Sequence, residues 1–381
     1  MNMKDNFWAK IEKPIFALAP MANVTDASFR QIIEKYSRPT GPDVFWTEFV
    51  SVEGLLSVGR EKLLVDFIYS EKEHPIVAQI FGGKPEQFYE VAKLIVDLDF
   101  DGVDINMGCP DRGVEKSGGG AALIKDPKLA QRIILETKRG VADAGSSIPV
   151  SVKTRLGYNK NEMETWMPAL LETGLPALTV HLRTRKEMSD VPAHWELASQ
   201  IVEIKNRLAP ETVLLGNGDV KDLTHGRQLI ANSGVDGVML GRAIFGNPWL
   251  FSEKSPTNEE KLRVCLEHTK LFENLYGVDS VVPATEPEAI RTKSDFVRVI
   301  SGSRVKPGMT QGKWLKPSDT LTPSASSGRE VGRIKPFDVM RKHFKAYVNG
   351  FDGAKELRMK MMEAENVEGV ENIVQDFLKT L

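Results

Sequence analysis

Cysteine is scarce. The chain of 381 residues holds 2, Cys109 and Cys265, far apart and in no CxxC arrangement. That argues against a disulfide framework and a zinc site, and it suits a reducing, cytoplasmic compartment. No charge sign dominates either: 50 Lys and Arg face 52 Asp and Glu, a net charge of −2, so no overall basic field points to nucleic acid. A local basic patch stays open. No run of about 18 apolar residues offers a membrane span, and MNMKDNFWAKIEKP at the start has no apolar signal core. A GxGxxG fingerprint is missing after the first apolar run, where MANVTDASFR follows instead. What is present, 41% hydrophobic and 27% charged residues, fits a globular chain with a sizeable core.

Short, often β-branched apolar runs alternate with segments of helical period from residue 15 to about 250. The strands predicted are 15–20, 43–49, 75–81, 102–107, 149–155, 177–183, 212–217 and 235–240. Between them, TDASFRQIIEKY offers Thr25 as an N-cap and PEQFYEVAKLIVDL places Pro85 in a first turn. The connection over roughly 50–70 is apolar and helical but less regular. Eight such strand–helix repeats in about 230 residues predict an α/β fold, a (β/α)8 TIM barrel, over 1–250. Residues 251–381 change character. Amphipathic patterns at 258–277 and 336–350, and one or two more in the last 30 residues, predict a C-terminal helical domain. Residues 279–335 are rich in Ser, Pro, Gly, Lys and Arg without sustained period and read as an inserted, largely disordered segment.

Barrel enzymes keep their chemistry at the C-terminal ends of the strands. Those ends here carry Pro20 and Met21, Glu48, Gln79, Asn106 and Cys109, Lys153 and Arg155, His181 and Arg183, Asn217 and Asp219, and Gly241 and Arg242. Residues two apart share a strand face, so Lys153 with Arg155 and His181 with Arg183 form same-face pairs. The last two ends, GNGDV and LGRAIFGNP, have the glycines that let backbone N–H groups approach a phosphate, and Arg242 adds a planar cation. A flavin mononucleotide fits that set, with a lysine near the flavin N1–C2 edge to stabilise the anion of the reduced ring. Cys109 interrupts GCP at the mouth of a glycine-rich loop. A thiol of pKa about 8.5 stays protonated at neutral pH and can act as a general acid. A nucleophilic role would require a lowered pKa from Lys116 or another cation. Met107, Trp46, Trp166 and Trp195 read as packing residues, and Cys265 as a structural helix cysteine.

The motifs APMANVTDASFR, AQIFG, DINMGCPDRGVEKSGGGAALI, VKTRLGY, TVHLRTR, GNGDV and MLGRAIFGNPWLF together resemble the tRNA-dihydrouridine synthase family. MRKHFKAYVNGFDGAKELRMKM resembles its helical tRNA-binding domain, and the resemblance covers about 15–278 and 336–375. It implies that NADPH reduces bound FMN, that hydride passes to C6 of a uracil ring in tRNA, and that Cys109 protonates C5. It further implies that Pro20, Met21, Ala22, Gln79, Lys153, His181, Asn217, Gly218, Asp219, Gly241 and Arg242 contact FMN. Asn106 and Arg155 would hold the uracil, with Arg183 beside them. The base must leave its stack, and Arg341, Lys342, Lys345 and Arg358 would position the rest of the tRNA. No metal is called for, and one chain gripping one tRNA suggests a monomer. Two departures stand out: Leu182 and Asn23 occupy positions where the family usually has glycine. Two rival readings are an FMN barrel acting on a free pyrimidine, like dihydroorotate dehydrogenases, and a non-catalytic RNA-binding relative. The basic C-terminal helices speak against the first, and Cys109 with its phosphate loops against the second.

Overall fold

The computed structural model describes residues 6–277 and 334–379. Its strands are β1 (Ile15–Leu18), β2 (Phe45–Trp46), β3 (Val50–Ser51), β4 (Ile76–Phe81), β5 (Gly102–Met107), β6 (Val150–Arg155), β7 (Ala177–His181), β8 (Val213–Asn217) and β9 (Gly237–Leu240). All pairings are parallel, in the order β1-β9-β8-β7-β6-β5-β4-β2, with β3 beside β4. A parallel bridge between Ala17 and Val44 joins the two ends of that order, so the sheet closes into a TIM barrel.

The helices around it are α1 (Ala27–Ser37), α2 (Val52–Leu55), α3 (Arg60–Leu64), α4 (Pro85–Asp97), α5 (Arg112–Lys116), α6 (Pro127–Asp143), α7 (Met163–Leu171), α8 (Ala198–Leu208) and α9 (Leu223–Ser233). Pro85 stands at the first turn of α4, where its missing N–H costs nothing. Gly234 ends α9 at φ 77°, a left-handed turn that glycine adopts freely. C-terminal helices follow: α10 (Asn258–Tyr276), α11 (Val339–Tyr347), α12 (Ala354–Glu363) and α13 (Val367–Leu378). Thr257 and Glu260 form a capping box at the start of α10, which packs on α1. Cys265 is buried in α10. Of the predicted insertion 279–335, all but Ile334 and Lys335 lie outside the described residues.

Two sequence expectations shift. The predicted strand 43–49 breaks after Trp46, because the Thr47 hydroxyl, rather than a backbone carbonyl, accepts the N–H of Gln79 at 3.1 Å. The N-cap of α1 is Asp26, whose carboxylate accepts from Phe29 N at 3.0 Å, while the Thr25 hydroxyl accepts from Met21 N at 2.9 Å.

The lower barrel interior is apolar. Ile15, Ala17, Val77, Ala177, Val213, Leu215 and Met239 fill it, and Trp8 packs against Trp46 from below with ring centroids 5.8 Å apart. A larger apolar layer lies between strands and helices. Burial at about 25 cal/mol per Å² is what holds both layers.

Candidate active site

Strand register builds the site. Gln79 pairs with Asp104, Asp104 with Ser151, Asn106 with Lys153, Arg155 with His181, and His181 with Asn217. Alternation along each strand sends one parity inward, so above the apolar floor the interior becomes polar. Asn106 Nδ2 donates to Gln79 Oε1 at 3.0 Å, and Gln79 Nε2 donates to Asp104 Oδ2 at 2.7 Å. Ser151 Oγ donates to Asp104 Oδ1 at 2.5 Å. Burial pushes the Asp104 carboxyl up to about 6 despite these bonds. One storey higher, Lys153 Nζ donates to Asn217 Oδ1 at 3.2 Å. Burial, and then the charge of Arg155, lower Lys153 to about 8. Asn217 Nδ2 donates to Met239 O, which fixes its amide.

Cys109 follows β5 and is partly buried. Its backbone is held on every side. Asn106 Oδ1 accepts from Gly108 N at 3.1 Å and Cys109 N at 2.9 Å, and Cys109 O accepts from Ala121 N at 2.9 Å. Arg155 Nε donates to Gly108 O at 2.7 Å. Gly120 sits at φ 58°, where a Cβ would fall 2.6 Å from Cys109 O, so only glycine closes this loop. Burial raises the thiol pKa, against a backbone hydrogen bond at Asp111. The cations that bear on it are Arg155 and Lys153, and Lys116 is not among them. A thiol so placed is held protonated rather than activated as a thiolate.

The other side of the mouth concentrates positive charge. Arg183, 2% exposed, donates from Nη1 to His181 Nε2 at 2.8 Å, from Nη2 to Asp219 at 2.5 Å and from Nε to Val191 O at 2.6 Å. A guanidinium only donates, so His181 Nε2 accepts and the ring is neutral with its proton on Nδ1. Burial, then Lys153, Arg155, Arg183 and Arg242, hold His181 far below the usual histidine range. Arg242 reaches Asp219 Oδ1 at 2.6 Å and stays mostly exposed. Asp219 takes φ 54° and Gly218 φ 125° beside it. A Cβ on Gly241 would meet only Ala19 and Met21, both at 3.6 Å, which leaves an open cradle between the first and last strand ends. Arg183 and Arg242 share the single carboxylate of Asp219, and Lys153 and Arg155 add charge around His181, so the residues present suit an added anion and fit a phosphate-bearing cofactor.

The predicted residues thus converge on one face, with qualifications. Pro20 is buried, Met21 half-buried and Ala22 exposed on the loop after β1. Arg155 Nε and Nη1 are engaged by the carbonyls of Gly108, Thr184 and Met188, and all three Arg183 nitrogens are engaged by protein. Asn23 stands at φ 54°, a conformation asparagine shares with glycine, so the first loop needs no different shape. Leu182 is buried in the outer core, and its N–H donates to Asn217 O. In the helical layer, Lys345 and Arg358 line one surface hollow with Met359 and Met362, while Arg341 pairs with Asp338. Among the described residues no helix is long and apolar enough to cross a membrane, and no group of three or more His, Cys, Asp or Glu is placed to hold a metal.

Sequence reasoning missed two contributors, Trp195 and Asp104, and gave a third, Glu48, no role. Trp195, read as packing, donates from Nε1 to Gly218 O at 2.8 Å, and its ring would strike a Cβ on Gly216 at 2.4 Å. Asp104 lay hidden in an apolar run, where a lone carboxylate was the available signal. Glu48, noted at its strand end, accepts from Asn23 N and from Lys335 Nζ at 2.5 Å, and Lys335 also reaches Asp66 at 2.7 Å. That ties the first loop to the chain entering α11.

The family model described as "Dihydrouridine synthase (Dus)" matches residues 17–285. The "Probable tRNA-dihydrouridine synthase" of Staphylococcus aureus (strain Mu50 / ATCC 700699) is 37% identical over 380 residues, 98% of this chain and 96% of its own. The "Probable tRNA-dihydrouridine synthase 2" of Bacillus subtilis (strain 168) is 35% identical over 377 residues, 98% of this chain and 97% of its own. A solved structure of a variant of NCR from Zymomonas mobilis overlays 64% of this chain and 87% of its own at 15% identity, with a TM-score of 0.42, too low to argue from. With the match running from the first strand past the ninth, and relatives aligned over nearly the whole chain, this protein is an enzyme of the dihydrouridine synthase family.

Proposed function

We propose that this enzyme is an FMN-dependent tRNA-dihydrouridine synthase that reduces uridines of tRNA to 5,6-dihydrouridine at the expense of NADPH. When bound, FMN supplies a hydride to C6 of the uracil ring. Cys109 delivers the proton: its S–H bond breaks, a C–H bond forms at C5, and the thiolate is reprotonated from water. NADPH is oxidised and the C5–C6 double bond is reduced, so electrons and protons balance. The observation that carries this reading is the Cys109 thiol itself, kept protonated by burial and fixed by backbone bonds on both flanks at the barrel mouth.

The cofactor's phosphate is bound by the loops of Gly218 and Gly241 with Arg242, its ring by Gln79, Lys153, His181 and Asn217, and Pro20, Met21 and Ala22 line the first-strand side. Asp219 acts by holding Arg183 and Arg242 in place. Asn106 orients the Cys109 loop through Oδ1 and faces the uracil with Gln79. Arg155 and Arg183 shape the substrate side mainly through the backbone and partners they already hold. The exposed Lys345 and the Arg358 of α12, with Lys342 and Arg341 of α11, meet phosphates of the tRNA. Two free cysteines suit the reducing cytoplasm, and a monomer suffices for one tRNA.

The test is anaerobic. The bound flavin is reduced, tRNA lacking dihydrouridine is added, and flavin absorbance is followed while the RNA is assayed for dihydrouridine, beside Cys109→Ala. Rapid tRNA-dependent reoxidation with product, slowed about 10²- to 10⁴-fold in the variant, is the expected outcome. Reoxidation by a free pyrimidine but not by tRNA overturns the substrate, and full turnover by Cys109→Ala overturns the acid.

A further inference from the structure

Most of the polar residues in the barrel mouth stand on strands. Cys109 does not: it lies on the loop that runs from β5 into α5 and on through Gly118, Gly119 and Gly120. Glycines give that loop freedom, so besides the bonds at Gly108 and Cys109 its far side must also be held for the thiol to stay in place. On one side the loop rests on the turn after β4, where a Cβ on Gly119 would fall 2.8 Å from Gly82 N. On the other side, beyond the Arg155 bond to Gly108 O, a second arginine bridges the loop to those after β6 and β7. Arg185 Nε donates to Glu115 Oε1 at 3.0 Å, its Nη2 donates to Glu115 Oε2, and the same Nη2 lies 3.5 Å from Pro110 O. Glu115 belongs to α5, and Pro110 follows Cys109 directly. The backbone of Arg185 is anchored in turn, its N–H donating to Gly157 O at 2.8 Å, and Lys186 N donates to Tyr158 O at 2.9 Å. Its guanidinium carbon stands 5.3 Å from the centre of the Tyr158 ring, and Lys125 covers that ring at 4.3 Å.

We propose that Arg185 is a positioning residue for the Cys109 thiol, acting through Glu115 to clamp the loop after β5 onto the loops after β6 and β7. This rests on the reading of Cys109 as the proton donor. A two-point guanidinium–carboxylate pair fixes direction as well as distance, and here it is mostly sheltered, with side-chain exposures of 26% and 12%. The thiol's acidity answers first to burial, then to Asp111, Arg155 and Lys153. Removing Arg185 therefore leaves these nearest charges in place and changes where the thiol is and how freely it moves.

The experiment compares Arg185→Met, Arg185→Lys, Glu115→Gln and the Arg185→Met/Glu115→Gln double variant as holoenzymes, with flavin content verifying the fold. Iodoacetamide labelling of Cys109 across pH reads the clamp directly, since Cys265 is fully buried. Arg185→Met and Glu115→Gln should each label about tenfold faster, and the double variant no faster than either single. Arg185→Lys, which keeps the charge but loses the two-point geometry, should fall between. In tRNA turnover, kcat should drop about tenfold with KM for tRNA unchanged in both singles. Unchanged labelling in both single variants overturns the proposal. So does a raised KM confined to Arg185 variants while Glu115→Gln is silent, because Arg185 would then grip the RNA itself. Labelling does not depend on what Cys109 does chemically, so a Cys109→Ala enzyme with full turnover would sink the acid assignment while the labelling data still judge the clamp.

Discussion

Lys153→Met should stabilise the cofactor-free barrel, although it removes a residue of the site. The ammonium is held at a pKa of about 8 against 10.5, first by burial and then by Arg155. At about 1.4 kcal/mol per decade of proton affinity, keeping that charge costs the fold about 3 kcal/mol at neutral pH. The variant also gives up the hydrogen bond to Asn217, about 1 kcal/mol, and replaces the aliphatic stem with one of similar volume. A net gain of about 2 kcal/mol follows, or a Tm rise of about 4–8 °C for a domain of this size. The pH dependence is the sharper test. A lysine whose folded pKa lies below its unfolded value is penalised in full below pH 8, and the penalty fades as pH climbs toward 10.5. The advantage of Lys153→Met should therefore be greatest at pH 7 and gone by about pH 10. Calorimetry of the cofactor-free protein and its variant at pH 7, 8.5 and 10 decides it. A lower Tm for the variant at pH 7, or a gain that does not change with pH, refutes the account. The cost in the free protein is the counterpart of the reading that Lys153 stabilises the reduced cofactor, so the same variant should bind FMN more weakly.

Arg30 and Glu73 form an ion pair with both side chains fully buried, so Arg30→Met should destabilise the barrel by about 3–5 kcal/mol in urea unfolding, and Glu73→Gln added to it should restore part of that. Burial lifts the Glu48 carboxyl to about 7, with Lys335 opposing, so folding loses stability as pH rises from about 4.5 to 7. In Lys335→Met that loss should continue above pH 7, seen as a Tm falling between pH 6 and 8, and Glu48→Gln should remove the slope. Gly120→Ala forces a side chain into a left-handed position against Cys109 O, and it should cut tRNA turnover by an order of magnitude or more while flavin content is kept.

The barrel was legible because eight apolar runs at regular spacing leave few other solutions, and reading only the C-terminal end of each run collected residues that do converge. The misreadings are local and have one cause: side-chain hydrogen bonds replaced what backbone pattern suggests. Thr47 stands in for a ladder acceptor and breaks the second strand, and Thr25 serves Met21 so that Asp26 becomes the cap. Trp195 could not be told from a packing tryptophan, because its role is to cover Gly216 and hold Gly218, residues more than twenty positions away. Nothing in the sequence shows that Arg155 Nε and Nη1 and all three Arg183 nitrogens are already engaged by protein.

By itself the sequence determined the repeat of strand and helix, the alternation that turns one parity of side chains into the barrel, and the chemical types waiting at its mouth. Those follow from periodicities of 2 and 3.6 residues and from backbone limits on glycine and proline, all of them local. Tertiary structure alone decided which of these groups are charged, which are engaged and which are held. The neutral His181, the lowered Lys153, the protonated Cys109 and the Arg185–Glu115 clamp arise from groups tens of residues apart placed within a few ångströms in a medium that screens charge poorly.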